Sequence, residues 1–232
     1  MAVEKEAGLL KYELKISLPI YKVVYAAFFV IILSIIRGVA YSYEIGLALE
    51  APMAILAAVF CADTYTQEIT AKRSEVQRLY PMKKRMASIA ARMLIQEIFL
   101  LLLAVMGYWL FFLFQHPRIS AMGRNDLKSE VLQFLLCFAA MVITVSFWGL
   151  LSNLFSCIFR NMWMGIGGCV ILWVATNPSM GGIDFGAWSL FSYTFRDIEN
   201  SSDFSWIYGK IVCTGIGIVA MAVLPQVIKK RG

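Results

Sequence analysis

Histidine is nearly missing from this chain: His116, followed by Pro117, is the only one among 232 residues. A single imidazole excludes a histidine-based metal site and any membrane protease that sets a glutamate beside paired histidines. Charge is scarce too, at 16% of residues against 60% hydrophobic ones, with a mean hydropathy of +0.71. No water-exposed surface of normal size can be made from that composition. The five cysteines, Cys61, Cys137, Cys157, Cys169 and Cys213, show no Cys-x-x-Cys spacing, so they read as small buried hydrophobes rather than a disulfide framework. Neither a Gly-x-Ser-x-Gly elbow nor a Gly-x-x-x-x-Gly-Lys-Ser/Thr phosphate loop is present. Gly165-Ile166-Gly167-Gly168 lies in an apolar run without the lysine, which suits small-residue helix packing. No catalytic group, metal site or bound cofactor is therefore expected on the chain itself.

What the chain does have is length of apolar sequence. About 20 mainly apolar residues cross roughly 30 Å of hydrocarbon as a helix, and an isolated strand would leave its backbone unpaired there. Six runs qualify: Leu18–Ala40, Gly46–Thr64, Ala91–Phe114, Val131–Phe155, the short Met162–Thr176, and Ile207–Ile228. Lysine and arginine stay preferentially on the cytoplasmic side. Of 21 basic residues, 15 fall on one set of loops: Lys5, Lys11, Lys15 and Lys22; Lys72, Arg73, Arg78, Lys83, Lys84, Arg85 and Arg92; Arg160; and Lys229, Lys230 and Arg231. Both termini are accordingly expected in the cytoplasm, with the protein in the plasma membrane, in contact with lipid, and the first span uncleaved. Arg37, Arg118, Arg124, Lys128, Arg196 and Lys210 fall outside, where Asp184, Asp197, Glu199 and Asp203 make the last outer loop acidic. Topology accounts for the net charge of +6, and no basic groove with stacking aromatics points to nucleic acid.

Three segments are neither span nor simple loop. Residues 4–17 mix Leu9, Leu10, Tyr12, Leu14 and Ile16 with lysine and glutamate ahead of Pro19, as in a helix lying in the headgroup region. The inner segment 63–90 carries an apolar stripe of Ile69, Val76, Leu79 and Tyr80 rimmed by Glu68, Lys72, Arg73, Glu75 and Arg78. Such a helix fits a groove on a soluble partner, although a solvated extension of the second span has the same composition. Residues 177–206 begin with Asn177-Pro178-Ser179-Met180-Gly181-Gly182 and continue into an aromatic run too short to cross, so they are read as outer re-entrant or interfacial pieces buried against protein. Among ionisable residues in spans, Lys22 and Arg37 are expected to snorkel to opposite interfaces, and Glu44 and Glu50 to sit at the outer end of the second span. Glu97 lies deeper in the third and is a candidate for the substrate path, its partner expected from another helix.

This layout resembles the permease subunits of ABC-2 type ABC transporters over nearly the whole chain. Glu68, then Leu79-Tyr80-Pro81-Met82-Lys83-Lys84 and Arg92, is similar to that family's acidic residue, Leu-x-x-Pro-x-x-Arg/Lys run and later basic residue; Ile69-Thr70 stands where a Gly-Thr pair is usual. The resemblance implies an all-α, six-span permease domain over residues 1–232 with an interfacial helix at 1–17. Residues 68–80 would be a coupling helix docking Glu68, Lys72, Arg73, Glu75, Val76, Arg78, Leu79 and Pro81 on a separate ATP-binding cassette subunit. ATP and Mg would then belong to that subunit, and a second permease chain, the same or different, would complete the path. The small outer side favours export of an amphipathic or hydrophobic substrate, above all an antimicrobial or toxic peptide. A lipid or glycan exporter, an intramembrane enzyme, and a non-transporting membrane sensor or assembly factor are the alternatives.

Overall fold

The computed structural model describes residues 12–67, 81–118, 127–176, 188–194 and 204–231. Their regular structure is helical: α1 (Ile20–Ile36), α2 (Glu44–Cys61), α3 (Met82–Gln115), α4 (Leu127–Phe159), α5 (Met162–Thr176) and α6 (Trp206–Arg231). An isolated bridge between Tyr41 and Arg118 is the one extended pairing among the described residues. Four helices, α2, α3, α4 and α6, are long and apolar enough to cross a membrane. The other two, α1 with 17 residues and α5 with 15, are as apolar but shorter. At about 1.5 Å per residue they stop somewhat short of roughly 30 Å of hydrocarbon.

Prolines set two of the helix starts. Pro19 and Pro81 occupy the N-cap positions of α1 and α3 with extended ψ values of 146° and 141°. Each contributes a carbonyl without an N–H that would need a partner, and each breaks the helical path from the preceding residues. Residues 12–17 are helical up to the first of these breaks. His116 and Arg160, with φ of 46° and 52°, stop α3 and α4 in the left-handed region. The second of these stops turns the chain straight from α4 into α5.

α4 is the hub, packing against α2, α3, α5 and α6. Small residues let the backbones approach: Ala48, Ala51, Ala54, Ala57 and Ala58 of α2 are all buried in the main core. Close van der Waals contact of this kind is what holds helices together where lipid tails are as apolar as the side chains. Gly165 belongs to the same logic, since a Cβ there would sit 1.9 Å from Ser156 Oγ and 2.8 Å from the Ser152 carbonyl oxygen of α4. Gly168 likewise abuts Phe155, whereas Gly167 faces open space. On the opposite side of α3, Leu94, Ile98, Leu102, Met106, Trp109 and Leu113 are exposed at steps of three and four, a continuous apolar stripe with no protein over it. Hydrocarbon is the solvent such a stripe requires.

Two ends of the bundle carry the polar contacts. At the end holding residues 12–17, the Glu13 carboxylate pairs with Arg92 and accepts from Ser88 Oγ at 2.6 Å, which fastens that segment to α3. Beside it, Lys22 pairs with Asp63 and donates to the Phe60 carbonyl at 3.0 Å. Lys22 is therefore buried in an ion pair and does not snorkel, because Asp63, just past the end of α2, lies within reach and pairing replaces solvation. At the far end, Glu44 accepts from the Ala40 and Tyr41 amides at 2.8 and 3.2 Å, closing the start of α2. Gln115 of α3 donates to the Ser34 and Ile35 carbonyls at 3.1 and 2.8 Å, and Ser42 donates to Glu130 of α4 at 2.9 Å.

Candidate substrate site

α3 and α6 flank α4 and leave an apolar cavity of about 510 Å³ between them. That volume lies within the roughly 300–1,000 Å³ of small-molecule sites. Met86 and Met93 of α3, Phe147 and Leu150 of α4, and Leu224 of α6 form much of its wall. Polar groups are few: Glu97, Ser146 and Thr214. Thr214 satisfies itself along its own helix, donating to the Lys210 carbonyl at 2.8 Å. Ser146 Oγ donates to Glu97 Oε2 at 3.3 Å, so the partner of Glu97 does come from another helix. Leu94, Ile218 and Met221 line the rim at 58%, 64% and 63% exposure, and the cavity opens sideways onto the lipid-facing surface. The described ion pairs are Glu13–Arg92, Lys22–Asp63 and Glu50–Lys210, and Glu97 belongs to none of them.

A second polar constellation lies nearer the far end. Lys210 donates to Glu50, to Thr144 Oγ1 at 2.7 Å and to the Leu190 carbonyl at 3.3 Å, which uses all three ammonium protons. The other carboxylate oxygen, Glu50 Oε2, accepts from the Thr194 amide at 2.8 Å and from Thr194 Oγ1 at 2.5 Å. Glu50 is 0% and Lys210 2% exposed, so this is a dry, saturated pair that joins α2, α4, α6 and residues 188–194. Seating that segment requires Gly209: a Cβ there would lie 2.1 Å from the Ser189 carbonyl oxygen. Phe191 stacks on Trp148 with ring centroids 5.6 Å apart, and Ser192 Oγ donates to the Trp206 carbonyl at 2.6 Å. Residues 189–193 are thus buried against protein, while Trp188 is exposed.

Of the residues singled out in the sequence, Glu68, Lys72, Arg73, Glu75, Val76, Arg78 and Leu79 lie outside the described residues, as do 1–11 and most of 177–206. Pro81 stands exposed at the start of α3, and Met82–Ala90 of the charged inner segment already form that helix's first turns. Glu97 is on the same unbroken helix, sixteen residues or about 24 Å further along. The sequence places Glu50 at the outer end of the second span and Lys210 on the outer side of the last; the structure adds that both side chains are buried inside the bundle, against each other. A signal for this existed, since they are the seventh residue of α2 and the fifth of α6, an acid and a base at similar depth from the same end. Comparison of the chain with family models, curated proteins and solved structures gave no match.

Proposed function

We propose that this chain is the membrane-spanning permease subunit of an ATP-driven exporter of the ABC-2 type. Its substrate is amphipathic or hydrophobic, an antimicrobial or toxic peptide being the leading class. In this reading all six apolar helices are spans or near-spans, residues 188–194 belong to an outer re-entrant segment, and both termini are cytoplasmic. ATP and Mg are held by a separate ATP-binding cassette subunit, and a second permease chain faces the first across the path.

The observation that carries the proposal is the cavity beside Glu97, open toward lipid and lined by a helix that runs without interruption to Pro81. An amphipathic solute partitions into the bilayer first and then enters sideways. Movement imposed at the inner end of a rigid helix is delivered to the cavity wall, and closure of a partner ATPase is the source of such movement. The lateral opening also favours a lipid exporter of the same family as the second reading.

Replacing Arg73, Glu75 and Arg78 together by alanine tests the proposal in vesicles containing the chain and its ATPase. Hydrolysis and transport should become uncoupled while the permease stays folded in the membrane. Unchanged coupling would overturn the assignment of residues 68–80 as the docking helix.

A further inference from the structure

We infer that the cavity between α3 and α6 selects amphiphiles bearing an aliphatic ammonium group, with Glu97 as the counter-charge. This rests on the cavity being the substrate site and adds to it the chemistry of the ligand. The wall is almost wholly apolar, so hydrophobic burial supplies the attraction for a tail but no preference among head groups. Glu97 is the one charged side chain among the described residues of that wall. Its carboxylate can accept about four hydrogen bonds, and among the described residues one donor reaches it, Ser146 at 3.3 Å.

The contrast with Glu50 is the core of the inference. Glu50 is buried together with Lys210 and four further donors and acceptors, so its charge is already neutralised from within. Glu97 faces a space large enough for a ligand and lacks a cation of its own among the described residues. An ionised carboxylate at hydrocarbon depth is costly unless a positive charge meets it, and an entering ammonium supplies that charge in place of the proton that otherwise neutralises the group. An anionic amphiphile would meet the same carboxylate with repulsion. Gly217 opens onto the cavity with nothing within 4 Å of where a Cβ would be, leaving room for a tail to lie along α6.

The same ammonium chemistry can come from a single-chain amine or from a lysine of an amphipathic peptide, and the two are distinguished by parallel arms. The purified chain, without any ATPase, is embedded in nanodiscs of zwitterionic lipid and titrated with fluorescent dodecylamine, dodecanol and dodecanoate. In the second arm a short leucine–lysine peptide and its lysine-acetylated form compete with the amine. The amine should bind at least about tenfold more tightly than the alcohol, about 1.4 kcal/mol, and more tightly still than the carboxylate. Glu97→Gln should erase that preference, bringing the affinity for the amine to that for the alcohol. Gly217→Leu, which fills open space, should weaken all three single-chain probes alike.

Competition by the peptide but not by its acetylated form identifies the peptide as a source of the ammonium; no competition by either restricts the site to single-chain amines. Equal binding of amine and alcohol, or a preference that survives Glu97→Gln, would overturn the inference. Because binding is read without nucleotide, such a failure leaves the coupling hypothesis standing, and failure of coupling leaves the binding result intact.

Discussion

Neutralising one member of the Glu50–Lys210 pair should be far more damaging than removing both. With Lys210→Met, the Glu50 carboxylate keeps its Thr194 donors but loses its counter-charge in a site that is 0% exposed. With Glu50→Leu, a buried ammonium is left with Thr144 Oγ1 and the Leu190 carbonyl. Stranding a buried charge in this way costs roughly 3–5 kcal/mol, whereas exchanging both for apolar groups of similar volume is often close to neutral. At about 2–4 °C per kcal/mol for a chain of this size, each single variant should lower the unfolding midpoint by about 6–20 °C. The Glu50→Leu/Lys210→Met double variant should recover most of that loss. Thermal unfolding in mild detergent, followed by the accessibility of the five buried thiols, measures all four corners of the cycle. Additive losses would refute the reasoning, because they would mean that the two groups do not neutralise each other.

Other outcomes follow from specific contacts. Gly209→Ala pushes a methyl group against the Ser189 carbonyl and should destabilise by about 1–3 kcal/mol, while Gly215→Ala, with open space around it, should gain up to about 1 kcal/mol; unfolding midpoints decide between them. Native protein should resist maleimide at all five cysteines and label fully once unfolded. Glu13→Gln should loosen residues 12–17 from Arg92 and Ser88, raising the rate of tryptic cleavage at Lys15, which is exposed, in mild detergent.

Helices were legible wherever composition alone decides. The apolar run at 162–176 became α5 with the same bounds, whereas α3 begins at Met82, nine residues ahead of the apolar run at Ala91, because Pro81 breaks the path from the preceding turn and the charged residues after it continue into the helix. Glu97 stood out because an acid deep in an apolar run has few structural reasons to be there. Side-chain partnership was hidden. Lys22 and Asp63 are 41 residues apart and Glu50 and Lys210 are 160 apart, and their encounter depends on how α1 packs on α2 and how α2 and α6 both pack on α4 rather than on any local pattern. The burial of residues 189–193 turns on Gly209, whose necessity appears only when the Ser189 carbonyl is placed against it. The cavity was equally invisible, being a property of where α3 and α6 diverge over α4.

Affinity isolation of the chain from its native membranes in mild detergent, with ATP hydrolysis and substrate efflux measured on the reconstituted material, bears most directly on the central claim. The account predicts that an ATP-binding cassette subunit accompanies the chain and that substrate stimulates its hydrolysis. Efflux, or catalysis, by this polypeptide with no nucleotide-hydrolysing partner present would contradict it.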